Sequence, residues 1–186
     1  MQETRSYKLT NIEIRDGTDG RTITGYPVVF DKPSQNLGGF IEYVDKTAFK
    51  DVSFDNVYLL YGHEFNNVLA RVDAGTLTIS VDDTGVFFSA TLPNTTLAND
   101  VIENIRVGNI QGMSFGFTVA DERWQTDVAV AVRTILKIDE LFEITLTPIP
   151  AYQDTKVAIS QRDRAQRSSE LELIELNAIV RELEGD

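Results

Sequence analysis

Across residues 1–160 the apolar side chains recur mostly at alternate positions, the two-residue period of strands that bury one face. Tyr7 and Leu9, then Ile12 and Ile14, alternate with polar neighbours, with a one-residue slip near Asn11. Asp16-Gly17-Thr18-Asp19-Gly20 supplies a turn built from residues that tolerate positive φ, and a strand from Thr22 to Phe30 follows. Together these predict a hairpin. Gly38-Gly39 opens a loop before the strand Phe40-Ile41-Glu42-Tyr43-Val44, and a short helix is expected over Lys46 to Lys50. Val57 to Tyr61, Thr76 to Val81 and Val86 to Leu92 read as further strands. The last two are joined by Asp82-Asp83-Thr84-Gly85, an acidic turn that lacks the ligand spacing of a calcium loop.

The period then lengthens. Leu97, Val101 and Ile105, with Ile102 on the flank, predict a helix from about Thr96 to Val107, and Gly108 stands just past its end. Gln111 to Ala120 and Arg133 to Thr147 return to strand, the second closed by Pro148-Ile149-Pro150. Between them, residues 128–132 are too uniformly apolar to assign a face. Residues 161–186 change character: they hold no aromatic, glycine only at Gly185, and many charges. Ser169 and Glu172 form a capping box, and Glu170 suits the positive start of a helix. Leu173, Leu176, Val180 and Leu183 then make one apolar stripe on a C-terminal helix. That stripe suits either packing on the body of the domain or self-association with another subunit.

Composition narrows the chemistry. A chain of 186 residues can build one domain with a substantial core but not two large ones. The net charge of −12 opposes chain-wide attraction to phosphates, so no nucleic-acid partner is expected. No apolar run reaches the ~20 residues that span a bilayer, so no membrane association is expected. The first residues lack the apolar stretch of a secretory signal, and the missing cysteines fit a reducing, intracellular setting. With no cysteine and a single histidine, His63, thiolate chemistry, multi-histidine metal sites and mechanisms needing two imidazoles are excluded.

Three residues remain as candidates. His63, after an apolar run and Gly62, can serve acid–base chemistry near neutral pH, or sit on the surface in a structural role. Ser114 lies between Gly112 and Gly116, whose missing side chains let a backbone approach closely and leave N–H groups accessible to an oxyanion. The same pattern suits a strand residue beside a bulge, and it is not the strand-to-helix nucleophile elbow of α/β-hydrolases. Glu143, in Leu141-Phe142-Glu143-Ile144-Thr145-Leu146, is costly to bury unless paired. It either orients an imidazole or faces outward on an alternating strand.

In order, Gly62-His63-Glu64, Gly112-Met113-Ser114-Phe115-Gly116-Phe117 and the run from Glu143 to Ala151 resemble the prohead proteases of tailed bacteriophages. Gly25-Tyr26-Pro27-Val28-Val29-Phe30, and Phe40 to Val44 leading to Ala48-Phe49, extend the resemblance over residues 5 to 160. It implies a mainly β (α+β) fold, a closed antiparallel β-barrel of the herpesvirus-protease type with flanking helices. It implies a protease domain at residues 1–160 and a charged amphipathic helix or tether at 161–186. It further implies a serine endopeptidase acting in the host cytoplasm inside the assembling prohead. Its substrates would be the major capsid protein's scaffold segment and the enzyme itself. Carried over by motif, Ser114 is the nucleophile, His63 the general base and Glu143 the third member, with no cofactor and no metal. Gly62 departs from the family, where asparagine often precedes the histidine. The competing expectation is a non-catalytic capsid assembly or scaffold module, and a small-ester hydrolase is disfavoured by the absent elbow.

Overall fold

The computed structural model describes residues 3–8, 13–15 and 20–148 of the chain. Among these, ten strands and one helix follow in order: β1 (Glu3–Lys8), β2 (Glu13–Arg15), β3 (Thr22–Val29), β4 (Phe40–Val44), β5 (Tyr58–Tyr61), β6 (Val68–Arg71), β7 (Leu77–Val81), β8 (Gly85–Thr91), α1 (Thr96–Arg106), β9 (Gly112–Gln125) and β10 (Ala131–Thr147). One sheet has the order β1-β9-β10-β5-β6, with β4 also paired to β10; the other has the order β2-β3-β8-β7.

Two strands organise the first sheet. In β9 the sequence alternates small and large, and the large residues Met113, Phe115 and Phe117 are fully buried in the core, with the Phe115 and Phe117 rings 4.6 Å apart. A slip of one residue would turn these three side chains out of the core. At about 1.5–3 kcal/mol for each buried side chain, that loss specifies the register. Its partner β10 puts Ile135, Ile138, Leu141, Ile144 and Leu146 into the same core. Those positions are mostly three apart, which a strict two-residue period cannot deliver. Register shifts in the β9–β10 ladder supply the extra residues, including one between Leu141 and Glu143. Because of that bulge Leu141 and Glu143 leave the sheet on opposite faces although they are two apart.

The second sheet contributes Ile23, Val28, Leu77, Val86, Phe88 and Ala90 to the same apolar cluster. Gly85 is required where β8 meets β3: a Cβ there would lie 2.0 Å from the Val28 carbonyl oxygen. The helix α1 buries Ala98, Val101, Ile102 and Ile105. Thr95 caps it, its side chain accepting from the Ala98 N–H, and Gly108 takes φ +83° after its end.

Several expectations are corrected. The closed antiparallel barrel with flanking helices is not the observed fold: both sheets are open. Closure needs one continuous hydrogen-bond ladder through every strand. Here β6 pairs only with β5 in its sheet while β7, after a short turn, pairs with β8 in the other. Each sheet has an apolar face, and the two faces bury one another without a shared ladder. The first sheet is also mixed, since β4 and β5 run parallel to β10. Only one helix lies among the described residues. Residues 46–50 form successive turns, with Ala48 N–H bonded to Asp45 O and Lys50 N–H to Thr47 O.

The expected hairpin survives as β2 with β3, while β1 joins the other sheet beside β9. The short strand β6 had no period long enough to predict it. The apolar run at 128–132 spans the turn between β9 and β10 and the start of β10, with Val128 and Val130 exposed. Residues 16–19 of the expected turn, and the expected C-terminal helix within 161–186, lie outside the described residues.

Candidate active site

Side chains paired across a ladder leave the sheet on the same face. Ser114 on β9 is paired with Thr145 on β10, which is paired with Leu60 on β5. One pleat along, Gly116 is paired with Glu143, which is paired with Tyr58. These six positions form two adjacent rows on the face opposite the Phe115, Ile144 and Leu59 side of the sheet. Ser114 and Glu143 are thus brought to one surface by the register alone.

His63 reaches that surface from the turn after β5. Gly62 and His63 adopt φ of +69° and +62°, the left-handed region that a non-glycine residue enters only when its surroundings hold it there. The holding contacts all come from β10. Gly62 N–H donates to Leu146 O at 3.1 Å, and His63 N–H donates to Thr145 Oγ1 at 3.1 Å. The His63 ring nitrogen Nδ1 then meets Glu143 Oε1 at 2.9 Å. A carboxylate accepts, so the proton of a neutral imidazole sits on Nδ1 and Nε2 is left with its lone pair.

Glu143 is 2% exposed, and its other oxygen, Oε2, is buried with no hydrogen-bond partner among the described residues. Burial on these terms is expensive, and the contact with His63 is what offsets it. The carboxylate has room because position 116 carries no side chain: a Cβ on Gly116 would lie 2.8 Å from Glu143 Oε1.

Ser114 is fully buried, and its hydroxyl donates to the Arg5 carbonyl on β1 at 2.7 Å. It makes no hydrogen bond to His63 among the described residues. The structure therefore joins His63 to Glu143 directly and puts Ser114 on their face of the sheet, its hydroxyl turned toward β1.

A second charged cluster ties β1 to the rest of the sheet. Arg133 binds Glu3 at 2.5 and 2.7 Å, Glu42 at 2.9 Å and also Glu122. Arg5 binds Glu42 at 2.8 and 3.1 Å. The Arg133 hydrogen bond holds the Glu3 carboxyl below its ordinary range, and Glu3 in turn raises the Arg133 guanidinium. Among the described residues no group of three or more acidic or histidine side chains could hold a metal ion.

Sequence reasoning singled out His63, Ser114 and Glu143 as candidates, and not Thr145, which the structure places as acceptor for the His63 N–H. Its signal was weak, a threonine two positions after Glu143. The partner of the Ser114 hydroxyl, a main-chain carbonyl, has no side-chain signature at all.

Residues 6–170 match the caudovirus prohead serine protease family. The chain belongs to that family. Searches of curated proteins and of solved structures matched nothing. Membership makes the chain a serine protease of prohead maturation, with capsid proteins as the implied substrate and the assembling prohead in the host cell as the place of action. No helix among the described residues is long and apolar enough to cross a membrane.

Proposed function

We propose that this prohead protease is a serine endopeptidase whose nucleophile is Ser114, whose general base is His63 and whose third member is Glu143. The observation that carries the reading is the 2.9 Å contact between His63 Nδ1 and Glu143 Oε1, made on the face of the sheet that Ser114 shares. In that arrangement Glu143 fixes the tautomer that leaves Nε2 free to accept a proton. Ser114 turns about χ1 to leave the Arg5 carbonyl, a move between staggered wells. His63 then takes the hydroxyl proton as Oγ attacks the peptide carbonyl, and returns it to the leaving amine as the tetrahedral intermediate collapses. Water attacks the acyl-enzyme in the second half-reaction, with His63 again as base. The oxyanion has to be stabilised from outside this stretch of β9, which is paired with β1 on one side of Ser114 and with β10 on the other.

The substrate is the scaffold segment of the major capsid protein, bound as an extended strand, and the enzyme cleaves itself as well. Residues 1–160 form the protease domain, and 161–186 act as a removable tether to capsid or scaffold.

Co-expression with the capsid protein of the same virus tests this. Wild type is expected to process the precursor and Ser114→Ala to leave it intact; processing by Ser114→Ala overturns the assignment. Intact-mass measurement of both proteins checks self-cleavage, since identical termini exclude it.

A further inference from the structure

We propose that Thr145 is a positioning residue for the reaction, holding the His63 main chain so that the imidazole meets Glu143; this rests on the role of His63 proposed above. Thr145 is fully buried, yet it lies on the face of β10 away from the core. A hydroxyl there must be accounted for by a partner. The partner is the His63 N–H, bonded to Thr145 Oγ1 at 3.1 Å.

That bond falls where the backbone needs it most. His63 is one of two non-glycine residues among those described with positive φ. Such a conformation is strained and persists only when neighbouring contacts over-determine it. On one side the Gly62 N–H is tied to Leu146 O, and on the other the ring is tied to Glu143. Thr145 supplies the middle tie, so three groups of β10, from Glu143, Thr145 and Leu146, hold Gly62 and His63 in place.

Thr145 is also the ladder partner of Ser114. One residue therefore touches the base's main chain while lying directly beside the nucleophile's strand position. The separation of Ser114 from His63 is set through it by the β9–β10 register, not by the flexibility of the turn. Valine is nearly isosteric but offers no acceptor, which leaves the His63 N–H unpaired. Serine keeps the acceptor.

The single histidine makes the test specific. Labelling the full chain with 15N-histidine yields one backbone amide and one imidazole, both from His63. In Thr145→Val the His63 amide should move upfield and lose its protection from hydrogen exchange, while Thr145→Ser keeps both. Cleavage of capsid protein should show kcat about tenfold lower or worse in Thr145→Val with KM unchanged, and near-wild-type kcat in Thr145→Ser. An unshifted His63 amide in Thr145→Val, or a shifted amide with wild-type kcat, overturns the proposal. If Thr145→Val does not fold, fast exchange of the His63 amide in wild type, or loss of kcat in Thr145→Ser with its amide unchanged, does the same. Cleavage that survives Ser114→Ala would instead sink the catalytic reading, and the amide measurement separates the two failures.

Discussion

Gly116 and Glu143 face each other across the β9–β10 ladder so closely that a methyl group at 116 would come within 2.8 Å of Glu143 Oε1. The missing side chain on one strand is the space into which the carboxylate of the other folds. Gly116→Ala should therefore displace the carboxylate that His63 contacts. Cleavage should fall at least tenfold, while unfolding experiments show a loss of about 1–3 kcal/mol from overpacking. Unchanged kcat with unchanged stability would mean that Glu143 can lie elsewhere at no cost.

Glu143→Gln keeps the shape and removes the charge. If Glu143 orients the imidazole, kcat should drop by about 10²–10⁴-fold, as expected when the acid of a triad is made an amide. Stability should change little, because the buried oxygen keeps its imidazole partner. Steady-state cleavage beside a denaturation curve checks both, and wild-type kcat removes Glu143 from the mechanism.

The tie between β1 and β10 should make stability depend on acid pH. Arg133 lowers the Glu3 carboxyl below its ordinary 4.5 in the folded protein. A lowered folded value means that the stabilisation is fully present above pH 4.5 and is lost as pH falls through the folded value. Glu3→Gln should then be less stable than wild type at neutral pH and should approach it as the pH is lowered below that range. Thermal unfolding of both proteins from pH 3 to pH 7 measures this, and parallel curves would rule out the Glu3 contribution.

Thr95→Ala removes the side chain that accepts from the Ala98 N–H at the start of α1. The expected loss is about 1 kcal/mol, with cleavage per folded molecule unchanged, because the helix lies outside the His63–Glu143 contact. Thr95→Ser should restore the loss. Equal denaturation midpoints for all three proteins would show that the cap contributes nothing.

Most strands were legible because each buries one face, so alternation marks them directly. The helix was legible for the same reason at a longer period, and its observed bounds, Thr96–Arg106, end one residue short of the predicted Val107. Residues 46–50 misled because their main-chain bonds close over three residues, Ala48 to Asp45 and Lys50 to Thr47, and not over the four of an α-helix. The barrel misled because closure is a property of pairing between distant strands. Nothing local in β6 or β7 states whether their edges meet.

The three candidate residues were legible as chemistry, by elimination and by motif. Their arrangement was not. Alternation by itself would turn Glu143 to the same face as Leu141; the bulge between them reverses it, and the only local sign is the three-residue spacing of Leu141 and Ile144. The left-handed backbone of His63 is likewise invisible in its own residue type, since Leu146, Thr145 and Glu143 impose it from eighty residues away.

By itself, then, the sequence determined the residue inventory, the periods of the strands and the helix, and the family. The tertiary structure decided which sheet each strand joins, that the sheets stay open, and which face Glu143 and Ser114 share. Side-chain burial is a local demand that each residue type announces. Pairing, bulge position and the holding of a strained turn are free-energy choices among distant partners, and those are made only when the strands meet.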